Sequence, residues 1–195
     1  MSKPAYHHGD LKNALLAKAI EIIQKEGSEK ITLRRLGKEV GVSAMAAYRH
    51  FANKEELLQS VAQQGFEVLA RVLKETKAKD PKQRLVKQGV AYIAFALDHP
   101  AHYQLMFASS ENADWGESLK QAAQFAFQQL VVTISECKKQ NKMASRMNEL
   151  QAALICWGQV HGAADICLTG QLPAAFTLTE YAKQACRNCV RGLFD

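Results

Sequence analysis

The chain has 195 residues, of which 48% are hydrophobic and only four are proline, so it is long and apolar enough to bury a full core. It has no run of about 18 uncharged apolar residues and no apolar centre of a secretory signal near its start, which predicts a cytoplasmic protein without membrane contact. Its net charge of +6 is concentrated at one end, because residues 1–54 carry ten Lys and Arg against five Asp and Glu. A basic head (residues 1–54) on a nearly neutral body (residues 55–195) indicates a polyanion-binding module joined to a second domain.

The predicted elements begin with three helices in the head. A helical apolar spacing predicts a first helix that ends at Gly27, and Thr32 is placed to cap a second, shorter helix. Gly41 supplies a left-handed turn residue, and Ser43 is placed to cap a third helix. The apolar positions expected to form the core of these helices are Leu11, Leu15, Ala19, Ile22, Ile23, Leu33, Leu36 and Val40.

Six further helices are predicted after the head. Asn53 caps a fourth helix with Glu56 placed to reach back to the cap, and Pro81 starts a fifth. A short sixth helix follows in "HPAHYQLMF", a long amphipathic seventh begins at "WGESLKQ", and the eighth contains the apolar "AALICWGQVHGAADICL". Thr177 and Glu180 form the capping box of a ninth. Since no strand pattern of useful length is present, the sequence predicts an all-α fold of about nine helices.

The stretch "TLRRLGKEVGVSAMAAYRHF" has the pattern of a helix-turn-helix, in which the first helix crosses the DNA backbone and the second enters the major groove. Thr32 and Ser43 place hydroxyls and backbone N–H groups at two helix starts, where the helix dipole favours a phosphate. Two simpler interpretations stay open at this point. Tyr48 can pack in the core of the head, and Lys54 can be only a solvated residue at a helix start.

Residues 10–58 resemble the DNA-binding head of the tetracycline-repressor (TetR) family, with "TLRRLGKEVGVSAMAAYRHFANKEELL" as the signature. The leading "YHHGDLKNALL" and the later "CWGQVHGAAD" resemble a subgroup whose C-terminal domain has a Trp, His and Gly signature. The resemblance implies a regulator that binds double-stranded DNA. The residues implied to contact phosphates are Thr32, Ser43, Tyr48, His50 and Lys54, and those implied to lie nearest the bases are Ala44, Met45, Ala46 and Arg49.

For the body, the resemblance implies a homodimer through the last two helices, which spaces two heads about one turn of DNA apart on a palindromic operator. Gly158 and Gly162 would allow a partner helix to approach closely. The resemblance also implies a repressor that a small, largely apolar effector releases from the operator, with no cofactor. The candidates for the effector pocket are Met106, Phe107, Trp115, Phe125 and Trp157, with His161 as the polar anchor.

Several alternatives stay open for the body, and the first is a DNA-binding dimer without an effector. His161 and Asp165 share a helix face and could supply two metal ligands, although a hydrogen-bonded histidine is the more common outcome. The Cys-x-x-Cys at Cys186 and Cys189 could act as a thiol sensor, but without a preceding strand the sequence favours core packing. The sequence has no phosphate-cradling loop, dinucleotide motif or nucleophile elbow, so we predict no enzyme, no catalytic residue and no resident metal.

Overall fold

The computed structural model describes residues 8–108, 115–140 and 147–194, and every regular element within those ranges is a helix. The prediction of an all-α fold with about nine helices is confirmed. A short 3₁₀ helix, Ser28–Lys30, lies between the first two α-helices. The α-helices are α1 (His8–Glu26), α2 (Leu33–Val40), α3 (Ala44–Tyr48), α4 (Lys54–Glu75), α5 (Pro81–Asp98), α6 (Pro100–Met106), α7 (Glu117–Gln140), α8 (Glu149–Leu168) and α9 (Leu178–Phe194). Among these helices, none has the length and hydropathy needed to cross a bilayer.

The chain divides by packing into two compact units. The first unit takes the described residues through Gly65 and those of Ala101–Leu119, and the second takes Phe66–Pro100 and the described residues from Lys120 onward. The sequence-based boundary lies after residue 54, whereas the packing boundary falls inside α4. The reason is that Leu57 and Val61 on the first half of α4 are fully buried in the core of the first unit.

The first unit has a core built from α1, α2, α3 and the start of α4. Leu15, Ala19 and Leu36 are fully shielded from solvent, as the apolar spacing of α1 and α2 predicts. Phe51 is also buried, two residues after the C-cap of α3, and the ammonium of Lys12 lies 5.8 Å from the centre of its ring. This core fixes α2 and α3 against α1.

The ends of several helices follow local sequence signals. Asn53 accepts a hydrogen bond from the Glu56 N–H at 2.8 Å, and the Glu56 carboxylate accepts one from the Ala52 N–H, one residue before the predicted cap. Pro81 occupies the first turn of α5, as predicted. The Thr177 hydroxyl accepts from the Glu180 N–H at 3.2 Å, as the predicted capping box requires.

The second unit is organised around α5, which packs against both α8 and α9, while α8 and α9 also pack against each other. Ile134 and Cys137 of α7, Ala152 and Ala153 of α8, and Leu193 of α9 belong to its buried core. The α8 helix begins at Glu149 with a capping box between Asn148 and Gln151 that the sequence reasoning missed. Tyr6 and His7, which begin the quoted pattern "YHHGDLKNALL", lie outside the described residues.

Candidate DNA-binding surface and ligand cavity

The turn between α2 and α3 is held by hydrogen bonds of its own residues. The Thr32 hydroxyl oxygen accepts from the Arg35 N–H at 3.1 Å, and the Ser43 hydroxyl oxygen accepts from the Ala46 N–H at 3.2 Å. Gly41 has a left-handed backbone with φ 78°, a conformation that favours glycine. Both predicted N-caps and the predicted turn residue are therefore confirmed.

The close contact between α2 and α3 depends on Gly37, a residue that the sequence reasoning did not single out. A Cβ added to Gly37 would lie 3.1 Å from the Ser43 carbonyl oxygen and 3.4 Å from the Ala44 Cα. Both are backbone atoms, so any side chain at this position would push the start of α3 away from α2. The sequence signal that could have identified Gly37 is a second glycine ahead of the turn residue Gly41, five residues after the Thr32 cap.

The α3 helix exposes one face and buries the other. Ala47 is fully buried, whereas Met45 and Tyr48 are 65% and 50% exposed. Arg49 is exposed as well, and Ala44 and Ala46 are half-buried. The exposure of Tyr48 contradicts the interpretation that it packs in the core of the head. The outward face thus presents a thioether, a phenol and a guanidinium around two small residues.

Charged and polar residues lie on the elements that precede and follow α3 in the chain. The Lys54 ammonium lies 3.9 Å from a carboxylate oxygen of Glu29, whose side chain is almost fully exposed, and such a solvent-exposed pair contributes little stability. His50 is half-buried beside the same surface. Arg35 donates two hydrogen bonds to Glu26 and so ties α2 to α1. These hydrogen bonds hold the pKa of the Glu26 carboxyl below its usual range, and sequence reasoning missed this pair because its partners are nine residues apart.

A small apolar cavity of about 30 Å³ lies inside the second unit. Trp157 of α8 lines it, and the indole stands edge-on to the Tyr92 ring with 5.4 Å between the ring centres. The Tyr92 hydroxyl is 3.0 Å from Nδ1 of His161. Burial lowers the pKa of His161, and the nearby Asp165 carboxylate opposes that shift only in part.

The six residues predicted for the effector pocket do not come together around this cavity. Trp157 lines the cavity, and His161 contacts the hydroxyl of Tyr92, which also lines it. Phe125 is 54% exposed on α7, which removes it from the cavity wall. The other three belong to the first unit, where Met106 is fully buried and Phe107 and Trp115 are half-buried.

The two cysteines of the Cys-x-x-Cys motif have different neighbours. Cys186 lies against Gly89 of α5, and burial raises the pKa of its thiol to about 12. Cys189 instead has its sulfur 3.7 Å from that of Cys156 on α8. Among the described residues, no group of three or more His, Cys, Asp or Glu side chains could hold a metal ion.

An open groove of about 710 Å³ runs along α5 and α9 on the surface of the second unit. Valine and alanine side chains line part of the groove, and five cations line it as well. These cations are Lys82, Lys87, Lys183, Arg187 and Arg191. The groove therefore differs in charge from the apolar pocket that the sequence predicted.

The outer face of α8 carries exposed apolar side chains. Leu150, Leu154 and Ile155 are 55%, 58% and 48% exposed. Gly158 and Gly162 lie further along the same helix, and a Cβ added to either would meet no atom within 4 Å. An apolar stripe followed by small residues is the surface that a second helix needs for close packing.

A short helix-turn-helix with an exposed second helix, joined to a separate helical unit, defines a class of DNA-binding regulators. Residues 15–61 match the family model described as bacterial regulatory proteins, tetR family. Residues 85–188 match the model described as tetracyclin repressor-like, C-terminal domain. The chain belongs to the TetR family of transcriptional regulators, whose members are DNA-binding proteins and not enzymes.

Individual proteins also resemble the chain over long stretches. The nucleoid occlusion factor SlmA of Vibrio vulnificus strain YJ016 is 30% identical over 145 residues, which cover 71% of this chain and 73% of that protein. The alignment with SlmA of Haemophilus ducreyi, also 30% identical, covers 45% of this chain and only about half (47%) of that relative. A protein of unknown function from Rhodococcus sp. RHA1 superposes with a TM-score of 0.89 at 26% identity, covering 99% of this chain and 100% of the other.

Proposed function

We propose that this protein is a dimeric, cytoplasmic repressor that binds a palindromic operator through α2 and α3 and releases it when a small apolar ligand enters the cavity beside Trp157. The observation that carries the proposal is the exposed face of α3, where Met45 and Tyr48 stand out from a helix whose opposite side is buried. Exposed apolar and aromatic side chains that lie together on one helix face mark a surface for a partner.

Five side chains around this face are proposed to hold the DNA backbone. A capping hydroxyl that accepts from the helix N–H keeps its own hydrogen for donation, so Thr32 and Ser43 can each donate to a phosphate oxygen. The exposed Tyr48 hydroxyl can do the same, and Lys54 can exchange its weak pairing with Glu29 for a phosphate. The fifth is His50.

The base contacts are proposed to come from Ala44, Met45, Ala46 and Arg49. The first three offer methyl and methylene groups, which suit the methyl of thymine, whereas Arg49 can donate two hydrogen bonds to guanine. With only one strong donor at the tip, part of the sequence preference is expected to come from DNA shape and deformability.

The dimer is proposed to form through the outer face of α8 together with α9. The apolar stripe from Leu150 to Ile155 supplies buried area, and Gly158 and Gly162 allow close approach. Two heads related by a twofold axis would then contact half-sites about 34–36 Å apart. Membership of a subgroup whose C-terminal domain has a Trp, His and Gly signature, which the stretch "CWGQVHGAAD" resembles, is part of the same proposal.

Ligand entry must enlarge the cavity, because pockets for drug-sized molecules measure about 300–1,000 Å³ and this one measures about 30 Å³. Its apolar lining favours an apolar ligand, with the Tyr92–His161 pair as the polar end. We expect Val160→Phe, which fills the cavity, to preserve DNA binding and remove the ligand response. The matched control is Val132→Phe on the exposed surface of α7.

Selection of bound sequences from a random DNA pool tests the central proposal. We expect recovery of a palindrome whose half-sites are one helical turn apart, and loss of selective binding in Met45→Ala with Arg49→Ala. Equal affinity for all duplexes at moderate salt would contradict it.

Thermal unfolding in the presence of small apolar compounds then tests the effector, since a ligand at 100 times its Kd stabilises the protein by about 2.7 kcal/mol. A protein that binds the palindrome and responds to none of them fits the dimer without an effector.

Nucleoid occlusion is a second candidate, because it is the function named for the Vibrio relative and it needs DNA binding as well. Mapping of bound chromosomal sites separates the two. Sites concentrated at the promoters of a few genes are expected for the repressor. Sites spread over the chromosome without relation to promoters would favour nucleoid occlusion instead.

A further inference from the structure

Two cysteine side chains from different helices meet at the wall of the cavity. The sulfur of Cys156 on α8 lies 3.7 Å from that of Cys189 on α9. A disulfide bond is about 2.05 Å long, so bond formation requires an approach of about 1.7 Å, which side-chain rotation and small helix shifts can supply. Cys186, on the same helix as Cys189, lies against Gly89.

The cavity leaves space for a small oxidant beside this pair. Both Cys156 and Cys189 line it, and its volume is about 30 Å³. A space of about 10–15 Å³ on this measure holds one water, so the cavity has room for a molecule of the size of hydrogen peroxide. Cys189 is the more accessible of the two, since Cys156 is only 5% exposed.

The two thiols have different acidity. The hydrogen bond between the two sulfurs raises the pKa of Cys156, which burial raises further, and the same bond lowers the pKa of Cys189. The thiolate is the form that attacks an oxidant. Cys189 is therefore the expected nucleophile, and Cys156 is the thiol that completes the reaction.

We propose that Cys156 and Cys189 form an oxidation site for hydrogen peroxide, at which the two thiols become a disulfide that joins α8 to α9. The Cys189 thiolate attacks one peroxide oxygen, the O–O bond breaks, and the departing hydroxide takes a proton to give water. The Cys189 sulfenic acid is then attacked by the Cys156 sulfur, which releases a second water and forms the S–S bond. Two thiols are oxidised by two electrons, and one peroxide is reduced to two waters.

The disulfide would constrain the two helices of the proposed dimer and alter the cavity wall. On that basis, oxidation is expected to change operator affinity at least about fivefold, and this regulatory consequence rests on the proposed function. Formation of the disulfide does not rest on the proposed function, because it requires only the geometry of α8 and α9.

Peptide mapping after treatment with hydrogen peroxide tests the pairing directly. Trypsin cleaves after Arg187, which separates Cys186 from Cys189 and leaves the latter in the peptide 188–191. We expect this peptide linked to 147–183, with the mass of two hydrogens lost. Because 147–183 also contains Cys167, the variants decide the assignment. The link should persist in Cys167→Ser and Cys186→Ser and disappear in Cys156→Ser and Cys189→Ser.

The outcomes are distinct. A link through Cys186 or Cys167, a link only between different chains, or sulfinic and sulfonic acids without any link would each overturn the proposal. Operator binding by the reduced protein, measured on the same preparation, reports on the proposed function separately. If the reduced protein fails to bind DNA while the expected link forms, the oxidation site stands and the repressor proposal falls.

Discussion

Replacing Gly37 with alanine is expected to displace the start of α3. The added Cβ would lie 3.1 Å from the Ser43 carbonyl oxygen and 3.4 Å from the Ala44 Cα, so relief requires a backbone shift of a few tenths of an ångström. Overpacking of this kind costs about 1–3 kcal/mol, whereas alanine in place of glycine inside a helix stabilises by about 1 kcal/mol. The free energy of unfolding should therefore fall by only about 0–2 kcal/mol.

The effect on DNA binding should be larger than this modest loss of stability. Contacts from α3 to bases depend on placement within about 0.5 Å, and the displaced residues Ser43 and Ala44 are among the proposed contacts. We expect Gly37→Ala to lose at least about tenfold in operator affinity, which is about 1.4 kcal/mol. Fluorescence anisotropy of a labelled operator measures the affinity, and urea unfolding measures the stability.

The matched control is Gly41→Ala in the same turn. A Cβ on Gly41 meets no atom within 4 Å, but its φ of 78° strains a non-glycine residue by about 1–2 kcal/mol. This variant should lose similar stability and keep the α2–α3 contact, so its affinity should change by less than about threefold. Wild-type affinity in Gly37→Ala, or an equal loss in Gly41→Ala, would refute the reasoning.

Three further changes test other parts of the protein. Lys54→Ala should reduce the slope of log affinity against log salt concentration by about 0.9, the value for one phosphate contact. The control Lys18→Ala removes an ion-paired cation of α1 and should leave the slope unchanged. A slope that Lys54→Ala does not change would reject the phosphate contact of Lys54. Leu154→Glu should make the protein monomeric in sedimentation velocity. The control Phe125→Glu, at a similarly exposed site on α7, should leave it dimeric. A dimeric Leu154→Glu variant would place the interface elsewhere. Because burial lowers the pKa of His161, its stabilising effect is present above pH 6.5 and is lost as the pH falls through the lowered pKa. His161→Gln should therefore show a smaller decrease in unfolding free energy between about pH 7 and pH 5 than the wild type, and parallel curves would count against this linkage.

Most helices and several of their ends were predictable because their signals are local. Thr32, Ser43 and Pro81 act within one turn of their own helix, so residue type and spacing identify them without tertiary information. The same holds for Gly41, since a left-handed turn residue between two apolar stripes has few alternatives. The helix-turn-helix could therefore be located from the sequence with its caps in place.

The cavity wall could not be predicted because it depends on how distant helices pack. Phe125 has a helical spacing typical of core, yet α7 turns it toward solvent. Met106 is equally apolar, but it is buried in the first unit, to which Ala101–Leu119 belongs. Likewise, the Cys-x-x-Cys spacing relates Cys189 to Cys186, whereas the sulfur that lies 3.7 Å from that of Cys189 belongs to Cys156, 33 residues away in the sequence.

The α8 helix connects the cavity to the proposed dimer interface. Successive residues of a helix are separated by about 100°, so Cys156 and Trp157 line the cavity while Leu154 and Ile155 point outward from the same turn. A ligand that needs about 300 Å³ must displace a cavity wall, because about 30 Å³ is present. Any displacement of α8 moves its outer face with it, since packed helices shift as units and do not deform continuously. A ligand or a disulfide at the cavity is therefore expected to change the geometry of the proposed dimer, and with it the spacing that this proposal gives to the two DNA-binding heads.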